Sequence, residues 1–204
     1  MKQSNGPDAT LSLYVENHII PMYDAFDGGH GRDHVRYVIA ESMRMAGYYD
    51  VDLNMVYAAA AYHDTGLSVD RRTHHLESGR IVRSDSSLPD WFTPDSIEVI
   101  AQAVEDHRAS SDHEPRSIYG KLVAEADRQI IPEVVVERAV RYGQEHCPDQ
   151  DQWQRFLSHM HEKYDFGGYL KLWIPESENA VGLAALRAMI HDEKRLRQLF
   201  ESYL

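Results

Sequence analysis

Apolar positions recur along the chain at intervals of three and four residues almost throughout, the period of a helix. Between Thr10 and Phe26 they fall at Leu11, Val15, Ile19 and Met22 on one stripe. Thr10 is the expected N-cap of that helix and Pro21 its expected kink. The glycines of DGGHGRD (27–33) predict a loop. Asp33 then stands where a cap would open a helix from His34 to Ala46, closed by Gly47. Further helices are expected over about 52–64, 75–84, 94–107, 117–130, 132–146 and 148–164, with Pro132 at a first helical position. Asn179 to Leu204 reads as two helices meeting near His191 and Asp192. DSSLPDWFTPD and ASSDHEP are loops, and no stretch sustains strand alternation. The expected fold is all-α.

Composition narrows the class. A length of 204 residues suggests one domain, with or without a helical extension. Lys and Arg number 21 against 33 Asp and Glu, a net charge of −12. That balance argues against general nucleic-acid binding, which needs a basic footprint. It leaves room for a small anionic substrate in a local cationic pocket. Cys147 stands alone, so no internal disulfide forms and an intracellular setting is favoured. No apolar run approaches the roughly 20 residues of a membrane span, and the first residues lack the regions of a secretion signal. A cytoplasmic protein is expected, with no membrane partner.

The twelve histidines change the picture, because imidazole is the commonest metal ligand and the usual acid–base group near neutral pH. In AAAAYHDTGL (58–67) a run of small apolar residues leads into His63 and Asp64. An unpaired polar group in an apolar setting costs about 1–3 kcal/mol, so the pair needs a purpose. On a helix adjacent side chains diverge by about 100°, but an ion close to the backbone is within reach of both. His34 opens its helix, and Asp127 is the one carboxylate interrupting the apolar face of KLVAEADRQI. Two imidazoles and two carboxylates suit Mn, Fe(II), Co, Ni or Mg, with Zn also accommodated. Four protein ligands leave an octahedral ion open to water and substrate. A plainer reading stands beside each. His63 and Asp64 would serve as helix-end dipole partner and loop cap; Asp127 would pair with Arg128 or Lys121; His34 would merely begin a helix.

The order His34, His63–Asp64, Asp127 in ADR resembles the H…HD…D pattern of the HD-domain superfamily of metal-dependent phosphohydrolases. His30 and His34 at H-x3-H with Val38 following, HLESG from His75, His107 before a loop, and GKLVAEADR from Gly120 are similar to the small bacterial members. The resemblance runs over about 14–204. Two positions depart from the pattern: Tyr37 stands where an arginine is common, and Thr65–Gly66 follows the HD pair. The resemblance implies an HD-like helical bundle forming a single domain over 1–204. Its core is expected at about 14–146, with C-terminal helices at about 147–204 packing on it. It further implies a divalent metal held by His34, His63, Asp64 and Asp127. Activated water would attack the phosphorus of a phosphate mono- or diester, with a nucleotide as the expected substrate. Asp64 is the candidate to orient or deprotonate that water, and His75 and His107 are candidates for proton transfer. His30, Arg71, Arg72, Arg108 and Lys121 are candidates to bind substrate. His74 is read as solvated.

Other chemistries lack their residues. There is no phosphate-binding G-x-x-x-x-G-K-[ST] loop, no G-x-G-x-x-G, no G-x-S-x-G and no H-E-x-x-H. No glutamate has a histidine three residues later, as a di-iron carboxylate bundle requires. Two rivals stay open: a ligand-sensing or scaffolding helical domain without turnover, and a dinuclear centre in which His75 and His107 supply a second metal. The sequence leaves the oligomeric state open, a homodimer included.

Overall fold

The computed structural model describes residues 6–26, 29–111 and 113–204. It is 67% helical and has no strand among the described residues. Asp27, Gly28 and Asp112, which belong to two expected loops, and residues 1–5 lie outside the described residues. The chain divides into two compact units, one ending at Asp127 and one running from Arg128 to Leu204.

In the first unit, α1 spans Ala9–Tyr14. Asp8, rather than the expected Thr10, is its N-cap and accepts from the Thr10 and Leu11 amides. The chain then widens into a π turn over Val15–Ile19 and tightens into a 3-10 turn over Ile20–Ala25. A wide turn absorbs an extra residue and rotates the next stretch of chain about the helix axis. The buried face therefore passes from Ile19 to Ile20 and Tyr23, and Met22, expected on the stripe, is only half-buried. α2 (Arg32–Ala46) begins before His34, with Gly31 as N-cap. Asp33, expected as the cap, lies inside the first turn, where its charge still favours the positive end of the helix.

α3 (Leu53–Tyr62), capped by Asp52, is the centre of this unit. It is buried on every side from Met55 to Tyr62, the mark of a core helix. Its four alanines keep it thin, and α2, the N-terminal turns and α5 (Pro94–Glu105) pack around it. A 3-10 turn at Thr65–Ser68 leads to α4 (His74–Ser84), which packs on α5. Arg83 ties that pair together by donating to Glu98 at 2.8 Å and Glu105 at 2.5 Å. Gly66 allows the turn and α4 to meet: a Cβ there would collide with the His74 carbonyl oxygen. α6 (Ile118–Arg128) buries the stretch Leu122–Ala126, Glu125 included, and presents Asp127 at its end.

The second unit holds α7 (Pro132–His146), α8 (Gln152–Tyr164), α9 (Asn179–Ile190) and α10 (Glu193–Glu201). Val136, Phe156, Met160, Leu186, Leu196 and Phe200 form its core. Asp151 and Asp192 cap α8 and α10 by accepting from the Gln154 and Arg195 amides. No helix among the described residues is long and apolar enough to cross a membrane.

Candidate metal centre

The end of α3 is where the polar residues gather. A helix leaves its last carbonyls without amide partners, and here side chains satisfy three in succession. The Ala60 carbonyl accepts from His63 Nδ1 at 2.8 Å, that of Ala61 from the Tyr23 hydroxyl at 2.9 Å, and that of Tyr62 from Thr65 Oγ1 at 2.8 Å. The backbone leaves the helix at Asp64, with φ −108° and ψ 4°. The side chains of His63 and Asp64, which a continuous helix would splay apart, thereby converge: His63 Nε2 lies 3.3 Å from Asp64 Oδ2.

Two clusters meet at Asp64. On one side, His34 from α2 brings its Nε2 to 3.2 Å from His63 Nε2, 3.1 Å from Asp127 Oδ1 and 3.7 Å from Asp64 Oδ2. On the other, Asp64 Oδ1 lies 3.4 Å from both His74 Nε2 and His107 Nε2, which are 3.2 Å from each other. His34, His63 and Asp127 form one group able to hold an ion, and Asp64, His74 and His107 a second. Asp64 thus turns one oxygen to each group.

The spacing fits a metal. Two ligand atoms each about 2.1 Å from an ion are about 3.0 Å apart at a right angle and about 3.4 Å apart at the tetrahedral angle. The separations within the two groups, 3.1 to 3.8 Å, bracket the tetrahedral value and approach the right-angle one. Donor chemistry fits as well. His63, His74 and His107 each give Nδ1 to the carbonyl three residues back, that of Ala60, Arg71 and Val104 at 2.8, 2.9 and 2.6 Å. A hydrogen bond donated from one ring nitrogen fixes the tautomer and leaves the other as the ligand atom. His34 is the exception, for its Nδ1 is buried without a partner among the described residues.

Electrostatics bind the groups together. Burial works against a charged His63, but Asp64 and then Asp127 outweigh it and hold its pKa at about 9. Burial also works against the Asp64 carboxylate, yet His63 and His107 hold its pKa well below the usual range. Asp127 is lowered in the same way, with His34 foremost. Burial, and after it His107, pushes His74 down. Without a metal, then, a proton on the His63 imidazole offsets part of the charge of the two carboxylates. His63, His107 and Asp64 are closed off from solvent, whereas the Asp127 and His74 side chains are 25% and 17% exposed. The site opens on the side of those two residues.

The structure brings together His34, His63, Asp64, Asp127 and His107 of the sequence-derived set. It adds His74, so the expectation of a solvated His74 is corrected. α4 starts at His74 rather than at His75, and that one-residue shift turns His74 inward. His75 does not join either group. It lines a cleft of about 660 Å3 with Arg108, Glu105, His113 and Arg116. His30 stands edge-on to His34, ring centres 5.9 Å apart. Of the expected cations, Arg108 donates to the Arg72 carbonyl at 3.0 Å, Lys121 pairs with Glu114, and Arg71 and Arg72 lie on the surface. Tyr23, which sequence reasoning passed over, sits buried behind the HD pair.

Fold and clusters together define an all-helical domain with two His/Asp groups able to hold a metal ion. Residues 31–129 match the family model of the HD domain, so that stretch of the chain carries an HD domain. A solved structure of a protein from Lactobacillus plantarum, a structural-genomics target, is similar over 96% of this chain and 98% of its own, with a TM-score of 0.67 and 18% identity. That likeness extends the shared fold through the C-terminal helices. No curated protein matches the chain.

Proposed function

We propose that the protein is a cytoplasmic hydrolase of a phosphate mono- or diester, most simply a nucleotide, working with two divalent ions. His34, His63 and Asp127 would hold one ion and His74 and His107 the other, with Asp64 offering one oxygen to each group. The observation that carries this reading is the Asp64 carboxylate, whose two oxygens face two separate groups of ligand atoms at 3.3 to 3.4 Å. Bound divalent ions supply Lewis acidity toward a phosphoryl oxygen and lower the pKa of water they hold toward about 7. Mn, Fe, Co, Ni and Mg, with Zn, suit the mixed nitrogen and oxygen donors.

The residues of the chain do the rest. The Nδ1 bonds keep three rings oriented, and the buried walls exclude bulk water. Asp64, the carboxylate common to both groups, would also orient the attacking water. With His107 assigned as a ligand, His75 and Arg108 remain in the adjoining cleft to contact the leaving group. Arg71, Arg72, Lys121 and His30 are the further candidates for the substrate's charge, since a phosphate on a chain of net charge −12 needs local cations.

Metal counting on purified protein, joined to a screen of nucleotides and phosphomonoesters with Mn(II), Co(II), Ni(II) and Mg(II), tests the proposal. Two ions per wild-type chain, one per His74→Ala chain and two per His75→Ala chain are expected. Two ions in His74→Ala would remove the second centre. Metal without turnover of any phosphoester would favour the sensing or scaffolding reading.

A further inference from the structure

We infer that Tyr23 is a positioning residue, its hydroxyl holding the backbone break that lets His63 and Asp64 meet at one centre. This rests on the metal reading above. The difficulty it resolves is geometric. Adjacent residues on a helix point about 100° apart, yet His63 Nε2 and Asp64 Oδ2 are 3.3 Å apart. The helix must therefore stop between them, and it must stop deep in the core, where a backbone group without a partner is costly.

One oxygen meets that need. The Tyr23 hydroxyl donates to the Ala61 carbonyl at 2.9 Å and accepts from the Asp64 amide at 3.2 Å. Ala61 belongs to the last helical turn, and Asp64 is where the backbone departs from it. A phenolic oxygen both donates and accepts, so it stands in the backbone ladder as an inserted water would, and side chains inserted this way bend or end helices. Tyr23 is 1% exposed, and no solvent competes for the position. Its ring packs beside His63, centres 6.2 Å apart.

The chain reaches this arrangement by a local irregularity. The π turn over Val15–Ile19 moves the buried face on by a residue, so Tyr23 rather than Met22 points inward. Such wide turns are common at functional sites. Tyr62 offers a matched comparison one helical residue before His63. It is also fully buried, and its hydroxyl donates at 2.5 Å to Asp85, which also accepts from Tyr14 at 2.7 Å. That hydroxyl anchors α3 from the far side of the helix end.

The test compares Tyr23→Phe with Tyr62→Phe in the full chain. Each loses one buried hydroxyl and keeps its ring. Both folded variants are titrated calorimetrically with Mn(II), and magnetic coupling between bound Mn(II) ions is read by electron paramagnetic resonance. Loss of a residue that orients ligands costs about 10–100-fold in metal affinity. Tyr23→Phe is expected to bind Mn(II) at least about tenfold more weakly and to weaken the coupling, while Tyr62→Phe loses melting temperature but keeps affinity and coupling. Equal affinity in wild type and Tyr23→Phe would overturn the positioning role and leave the metal reading intact. Equal losses in both variants would make Tyr23 merely structural and overturn it too. A wild type that binds no Mn(II) would overturn the metal reading and this inference with it.

Discussion

The dipeptide His–Asp occurs twice in this chain, at 63–64 and at 191–192, and the two copies have different fates. Both follow the end of a helix. At the second, Asp192 accepts from the Arg195 amide and caps α10, while His191 donates to Asp165 at 2.8 Å. His161 approaches the same carboxylate at 2.7 Å. That trio also sets imidazoles around an aspartate, but the rings of His161 and His191 are 46% and 55% exposed. Water competes there, and each imidazole makes an ordinary hydrogen bond. At 63–64 the residues before the pair are Ala58–Tyr62, all buried, and α2, α6 and the turn after α5 bring His34, Asp127 and His107 against the pair. Residue identity does not separate the two copies; burial and convergence do.

The largest effect expected from breaking that contrast is at Asp64. Asp64→Ala removes the carboxylate shared by both groups, so it should lose both ions and at least about 10³ in hydrolysis rate, the scale of removing a preorganised charge-stabilising group. Elemental analysis with kinetics on the best substrate checks it, and an unchanged metal content would dissolve the distinction. A middle-sized effect concerns pH. In the metal-free protein His63 has a pKa of about 9 against an ordinary 6.5. Its proton therefore stabilises the fold fully below pH 6.5, and that contribution fades as pH rises through about 9. A metal needs the neutral ring, so binding expels the proton and the apparent affinity rises toward pH 9, about tenfold per pH unit for each proton released. Calorimetry in two buffers of different ionisation enthalpy counts the protons; a count of zero would contradict the charge balance described for the site. The smallest effect is at the other copy. Asp192→Ala should keep all bound metal and cost only about 1 kcal/mol, the usual worth of an N-cap, seen as a small fall in melting temperature.

Helix after helix was legible from apolar spacing, because each has one buried stripe that the period exposes. The π turn escaped that reasoning, since a single extra residue leaves the apolar composition of Leu11 to Tyr23 unchanged while shifting its phase. The candidate ligands His63, Asp64 and Asp127 were legible as polar residues against apolar stretches, and His34 through its place in the H…HD…D order. His74 was not. It stands beside His75 at a helix start, and which of two neighbours faces the core depends on where the helix begins, a matter of one residue. Tyr23 was invisible for another reason: its role lies in two backbone groups of a segment distant in sequence, and no side-chain pattern encodes it.

The tethers on the histidines set an order of assembly. His63, His74 and His107 are each fastened to a carbonyl three residues back, within their own turn. Their orientation is settled as soon as that turn forms. His34 and Asp127 come from α2 and α6 and meet only when the first unit closes. An ion captured there would be the rivet between the two ends of the unit. Binding the folded chain and not the unfolded one, it would add stability in proportion to the logarithm of free metal concentration. Cellular metal supply would then govern how long the folded chain persists as well as how fast it turns over substrate.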